Sequence, residues 1–286
     1  MQKQCAMRFV DVKNDVAFKK IFGNEKKKII LISFLNAVLD LKENKRINDV
    51  TLVNPYQLPR IIEEKSTIID VKATDNNGST FIIEMQVAEP RGLAKRVLYY
   101  TSKDYAAQIN VGIDYPQLRP VYFIGILNFN YFPNKHYFSK HLIIEEETGQ
   151  CILEDLQFRF IELTKFKKNI DELNTIIDKW TFFIKNAKNL DVIPTDIEDE
   201  GLKEAYNQAA EFNWTKEEHD AYIYAGMREQ DAIGIITAAE MKVEKRVTKS
   251  TFLAVAKKML EKNEPVEKII EYTGLTKEEI EELINK

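Results

Sequence analysis

Two carboxylates, a lysine and an amide fall within one short stretch of otherwise apolar sequence. The segments are Thr67-Ile68-Ile69-Asp70-Val71-Lys72-Ala73-Thr74 and Thr80-Phe81-Ile82-Ile83-Glu84-Met85-Gln86-Val87, with Asn76-Asn77-Gly78 between them. Runs rich in β-branched and aromatic residues around an Asn-Gly pair predict a hairpin, with glycine available for positive φ. With the turn centred on Asn77, Asp70 stands directly across from Glu84. Alternation then puts Lys72, Ile82 and Gln86 on the face of the two carboxylates. Ile69, Val71, Ala73, Ile83, Met85 and Val87 go to a core face.

Like charges directly across a strand pair destabilise it, and burying them costs more. Three arrangements relieve the conflict, the first being that one carboxylate takes up a proton. A divalent cation between the carboxylates is the second, and Mg²⁺ suits one or two carboxylates plus a phosphate oxygen. Alternatively the face is wet and Lys72 screens both acids.

The elements around the hairpin supply its supports. Asn14 or Asp15 can cap a short helix over Val16–Phe22 that Gly23 stops, and a more apolar helix follows from Glu25 to Leu39. Val50–Val53 is a short strand. Pro90 and Gly92 precede a helix over 91–109 whose Leu93, Val97 and Tyr100 face a core. Its Arg96, Tyr99 and Lys103 form a stripe suited to a DNA backbone, or merely to water. Val121-Tyr122-Phe123-Ile124-Gly125-Ile126-Leu127 is unbroken and apolar, as in a strand buried on both faces. Shorter strands are expected near 138–147 and 157–163, and mostly helix from Ile170 onward.

The order is helix, strand, strand with Asp70, strand with Glu84-Met85-Gln86, helix, buried strand. It resembles the αβββαβ core of the PD-(D/E)XK nucleases and, more narrowly, the Rpn family of recombination-promoting nucleases and transposases. The matching text is Asn14-Asp15-Val16-Ala17-Phe18-Lys19-Lys20-Ile21-Phe22-Gly23, Ile69-Asp70-Val71, Ile83-Glu84-Met85-Gln86, Arg96-Val97-Leu98-Tyr99-Tyr100, Tyr105, Gln108 and Pro120–Ile124. Later stretches, Glu162–Phe166, Trp180–Lys185 and Ile269–Thr276, are also similar.

The resemblance implies an α/β, restriction-endonuclease-like fold with a central mixed sheet, and metal-dependent cleavage of DNA phosphodiesters. It implies Mg²⁺, with Mn²⁺ as substitute, held by Asp70, Glu84 and the main-chain carbonyl of Met85. Gln86 occupies the position of the superfamily lysine, and an amide can orient but cannot supply charge. Lys72, on the same face, is the candidate for that charge. Asp15 matches an acidic position of the opening helix, with helix capping as its rival role. Lys19 and Lys20 are candidate phosphate contacts or plain solvated lysines. A second reading is an inactive descendant that binds DNA or a protein, and a third is an oligomerising protein working through its long helical tail.

That tail begins after Pro194 and the acidic run Asp196–Glu200, which suggests a nuclease-like domain over 1–195 and a helical extension over 196–286. Residues 202–262 read as long helix, followed by two short helices around Gly274 and the Thr276-Lys277-Glu278-Glu279 capping box. A helix-turn-helix with four glutamates on its second helix would repel phosphate, so the tail reads as a packing or self-association element.

Composition narrows the rest. The 286 residues hold 2 Cys and 3 His, too few for a disulfide framework or a well-liganded mononuclear zinc site. Cys5 and Cys151 are the thiols, and His136 with His141, in a polar stretch, reads as a surface pair. The formal net charge of −4 does not by itself advertise nucleic-acid binding. The sequence shows no membrane-length apolar run, no signal-peptide core and no Gly-rich phosphate loop, so the expectation is a cytoplasmic protein without a nucleotide cofactor. Cutting both strands of a duplex commonly takes two active sites, which makes a homodimer plausible.

Overall fold

Asn14 opens the first helix in the computed structural model of the chain, which describes residues 8–41, 43–54, 56–57, 67–109 and 114–284. Its side-chain oxygen accepts from the amides of Val16 and Ala17 at 3.0 and 3.4 Å, so Asn14 rather than Asp15 is the cap. Helix α1 (Asp15–Phe22) buries Ala17, Phe18, Ile21 and Phe22. A single 3₁₀ turn then leads into α2 (Lys28–Leu39), which is apolar nearly all round. Cys5 lies outside the described residues.

The strands are β1 (Val50–Leu52), β2 (Tyr56–Gln57), β3 (Thr67–Ile68), β4 (Val71–Asp75), β5 (Thr80–Gln86), β6 (Val121–Leu127), β7 (Phe138–His141) and β8 (Leu156–Glu162). Six of them form one mixed sheet in the order β1-β4-β5-β6-β8-β7, and β2 pairs with β3 separately. β1, β4 and β5 are an antiparallel meander; β6 runs parallel to both β5 and β8. The connection from β5 to β6 carries helix α3 (Leu93–Ala107), as a parallel crossover requires. Strand β6, flanked on both sides, is buried at every position except Tyr122, as its unbroken apolar text predicts.

The β4–β5 register matches the expected one: Val71 pairs with Ile83, Lys72 with Ile82, Ala73 with Phe81 and Thr74 with Thr80. The Asp75 carboxylate fixes the turn by accepting from the amides of Asn77 and Ser79, and Gly78 adopts φ +82°.

One side of the sheet, with Val71, Ala73, Phe81, Ile83, Met85, Ile124 and Ile126, packs in the large core that contains α1 and α2. That core also contains α4 (Ile176–Asn186) and α5 (Glu200–Ala209). Ile82, Val121, Phe123, Leu127, Phe158 and Phe160 pack on the other side with Leu93 and Val97 of α3. Ile69 belongs to this second cluster, not to the face of Val71 as alternation predicts. The chain bends at Asp70 just before β4 begins, and a bend resets the two-residue period.

The chain divides into two compact units, Met1–Gly226 and Met227–Lys286. The boundary expected at 195/196 therefore falls inside the first unit. Asp199 caps α5 and also accepts from Ser33 of α2 at 2.6 Å, and Leu202, Ala205, Tyr206 and Ala209 are buried. Gly201 makes the close approach possible, since a Cβ there would sit 2.4 Å from that of Ser33. The expected single helix over 202–262 is α5, a 3₁₀ turn and α6 (Lys216–Glu261). In the second unit α7 (Val266–Thr273) and α8 (Lys277–Ile284) close a small core of Ala256, Ile269, Leu275 and Ile280. The capping box is formed, with Thr276 and Glu279 exchanging bonds at 3.0 and 3.3 Å. Among the described residues no helix is long and apolar enough to cross a membrane.

Candidate active site

The two carboxylates lie at the open end of the β4–β5 hairpin, Glu84 on the side of the sheet that α3 covers and Asp70 at the strand edge within reach of α1. Asp70, at the bend, turns one oxygen (Oδ2) to the Met85 amide at 2.8 Å and the other (Oδ1) toward Lys19 of α1 at 3.6 Å. Burial pushes its carboxyl above the ordinary value, Asp15 adds to the rise, and the Met85 amide and Lys19 oppose it. Lys19 also pairs with Asp15 at 2.5 Å, so Asp15, itself exposed, joins the site through Lys19.

Glu84 is only 3% exposed. Its Oε2 accepts from Gln86 Nε2 at 2.8 Å and from Arg96 Nη2 at 3.1 Å, while Oε1 is buried with no hydrogen-bond partner among the described residues. Burial first, and Asp70 second, push its pKa up to about 7 against the lowering effect of Arg96 and Gln86. The apolar wall has an identifiable source. Glu84 pairs along the sheet with Gly125 and then Phe160, and the Phe160 ring lies over Gly125, where a Cβ would come within 2.7 Å of it. That ring belongs to a cluster with Phe123, Phe132 and His141.

Strand geometry also orients Met85. Successive residues turn their peptide groups to opposite neighbours. Gln86 gives its carbonyl to Asn128 beyond β6, and Met85 gives its amide to Asp70. The Met85 carbonyl therefore lies on the Asp70 side, where β4 has ended.

Several sequence candidates take other partners. Lys72 Nζ is 2.5 Å from Asp104 of α3, and both side chains are largely buried. Arg96 leaves the expected DNA-facing stripe for Glu84, which neutralises one end of that carboxylate. Tyr99 stays exposed, with Lys103 Nζ 5.8 Å above its ring, and Tyr100 packs against the α3-side core as expected. Lys20 turns away to Glu218 and the Trp214 ring. His141 is half-buried among aromatic rings with Ser139 Oγ at 2.9 Å from Nε2, so it is not the surface histidine its polar neighbourhood predicts.

Asp104 was not foreseen, yet its signal is in the text: it continues the buried α3 row of Leu93, Val97 and Thr101 at helical spacing. A carboxylate on an apolar row demands a partner, and Lys72 is that partner.

Two close acids with an orphaned, buried oxygen fit a divalent cation. Among the described residues no cluster of three or more His, Cys, Asp or Glu converges on a point. The remaining ligands would then be the Met85 carbonyl, water and substrate oxygens, the mixture Mg²⁺ favours.

An antiparallel meander bearing Asp and Glu-x-Gln, crossing through a helix into parallel strands, is the restriction-endonuclease-like class of nuclease fold. Residues 12–239 match the PD-(D/E)XK nuclease family transposases, and the chain belongs to that family. Its superfamily comprises nuclease-type hydrolases that generally use divalent metals, and DNA is the substrate a nuclease family implies. No curated protein and no solved structure gives a significant match to the chain.

Proposed function

We propose that this protein is a Mg²⁺-dependent DNA endonuclease of the transposase-like kind. The observation that carries the reading is the orphaned Oε1 of Glu84, buried beside a second carboxylate whose pKa is likewise raised. Asp70, Glu84 and the Met85 carbonyl would hold the ion, with Mn²⁺ as a substitute. Bound there, the metal supplies Lewis-acid polarisation of a phosphate and a more acidic water.

The chain's own groups do the rest. Gln86 fixes the rotation of the Glu84 carboxylate through its 2.8 Å bond, the orienting task open to an amide. Lys19, held by Asp15, stands beside Asp70 as a cation for the reacting phosphate. Arg96 balances Glu84 from α3, whereas Lys72 is neutralised by Asp104 and brings no net charge to the site. Tyr99 and Lys103 offer the adjoining backbone a ring and an ammonium. Two copies would serve the two strands of a duplex.

Incubation with supercoiled plasmid in Mg²⁺, Mn²⁺ or EDTA tests this, alongside Asp70→Ala and Glu84→Ala checked by circular dichroism. Nicking that needs metal and both carboxylates is expected. Cleavage unchanged in both variants would remove the assignment.

A further inference from the structure

A second polar site lies away from the carboxylates, where the loop after β8 meets the end of α4. It is a pocket of about 370 Å³ lined by Lys167, Lys168, Lys185, Asn169, Asn186 and Asn189 together with the apolar Phe166, Phe182 and Leu190. Among the described residues no carboxylate lines it, though the Asn169 amide donates to Glu172 at 2.8 Å. Three ammonium groups and three carboxamides are an unusual lining, because charge collected in a recess is normally compensated.

The compensation can be followed group by group. Lys168 is neutralised by the buried Asp178 at 2.7 Å, an acid that also accepts from Tyr137 and the Thr175 amide. Lys13 and Lys188 both pair with Asp11. Lys185 is half-buried and its Nζ donates to the Phe166 carbonyl at 2.5 Å, with no carboxylate in reach among the described residues. Burial lowers its pKa, and Lys167 and Lys13 lower it further, as expected of an ammonium among like charges. Lys167 is exposed at the rim.

Two carbonyls of the last turn of α4, and one just beyond it, have partners of their own. Phe183 O takes the Ala187 amide, Ala187 O takes the Leu190 amide, and Lys185 O lies 3.5 Å from Lys13 Nζ. The pocket therefore offers chiefly donors, and among the described residues two of its three cations, Lys167 and Lys185, have no carboxylate partner.

We infer that this pocket binds a phosphate group, and that the phosphate belongs to the backbone of a DNA duplex at a position other than the one cleaved. The DNA source rests on the proposed function; the phosphate chemistry does not. A compact, strongly hydrated ammonium suits phosphate as a point charge, and each such contact releases counterions.

Two measurements on the full chain test it, with Lys167→Gln, Lys185→Gln and the double variant checked by circular dichroism. The first is the melting temperature in inorganic phosphate against chloride at equal ionic strength. The second is fluorescence anisotropy of a labelled duplex in EDTA across a NaCl series. The expected result is a phosphate-specific stabilisation that the double variant loses, together with a log K versus log salt slope shallower by about two. Loss of the phosphate effect with an unchanged slope would keep the pocket as a phosphate site and overturn its assignment to DNA. Absence of any phosphate-specific shift in the wild type, with the slope unchanged in the variants, would overturn the site itself. If the wild type neither binds nor cuts DNA, the endonuclease reading fails, while the phosphate measurement still decides the pocket. Lys167→Gln, at an exposed position, keeps the test open should Lys185→Gln disturb the fold.

Discussion

The Glu84 carboxyl has lost its water and regained part of what water supplied: Gln86 and Arg96 serve one oxygen, and the other has no partner among the described residues. Its folded pKa of about 7 lies above the ordinary 4.5. Between those values the folded state holds the proton more tightly than the unfolded chain, so metal-free stability falls as pH rises through that window. The loss is on the order of 3 kcal/mol once pH exceeds 7. Glu84→Gln removes the buried charge and keeps an acceptor for Arg96. In EDTA this variant is expected to melt above the wild type at pH 8, with the difference closing toward pH 5, while plasmid cleavage is lost. Equal melting temperatures at pH 8 would refute the burial argument. The same proton competes with a metal, so calorimetric titration with Mg²⁺ should show affinity dropping below pH 7 with proton release on binding.

Helix α3 organises the site by delivering two side chains to the sheet, Arg96 to Glu84 and Asp104 to Lys72. Lys72→Ala would strand Asp104, whose Oδ2 already lacks a partner among the described residues. Leaving a buried charge unpaired costs about 3–5 kcal/mol, whereas removing both members costs far less. A double-mutant cycle of Lys72→Ala and Asp104→Ala in urea should therefore give a strongly non-additive pair, and additive effects would show that Lys72 does not compensate Asp104. The hairpin register was readable in advance because two independent signals agreed, the Asn-Gly turn and the two-residue alternation. Ile69 escaped that reading because the period resets at the Asp70 bend. Arg96 escaped it because helical spacing places a residue on a face without saying which charge on another element it will meet. Gly125 was only part of an apolar run until β8 brought Phe160 over it. Gly125→Ala should cost about 1–3 kcal/mol by overpacking and, by displacing the wall beside Glu84, lower metal affinity as well.

At the scale of the whole chain, the composition break at Pro194 and the acidic run mislead for a physical reason. Asp196 and Asp199 look like a solvated linker, but Asp199 is the cap of α5 and the acceptor of Ser33, whose hydroxyl oxygen in turn accepts from Trp180 Nε1 at 3.2 Å. Trp180 is fully buried against Phe22, Phe34 and Phe183. Truncation after residue 195 removes Leu202, Ala205, Tyr206 and Ala209 from that core, together with the Ala209 carbonyl that accepts from Val10. Burial of one large apolar side chain contributes about 1.5–3 kcal/mol, so losing several exceeds the margin by which a domain of this size is stable. A chain ending at 226 keeps all of these contacts, along with Tyr222, whose hydroxyl oxygen accepts from the Asp11 amide and whose carbonyl accepts from Asn14. The expected outcome is a cooperative thermal transition for residues 1–226 and none for residues 1–195. A folded 1–195 fragment would mean that α5 is an accessory to the sheet domain. If 1–226 also retains metal-dependent cleavage, the second unit serves some step other than hydrolysis.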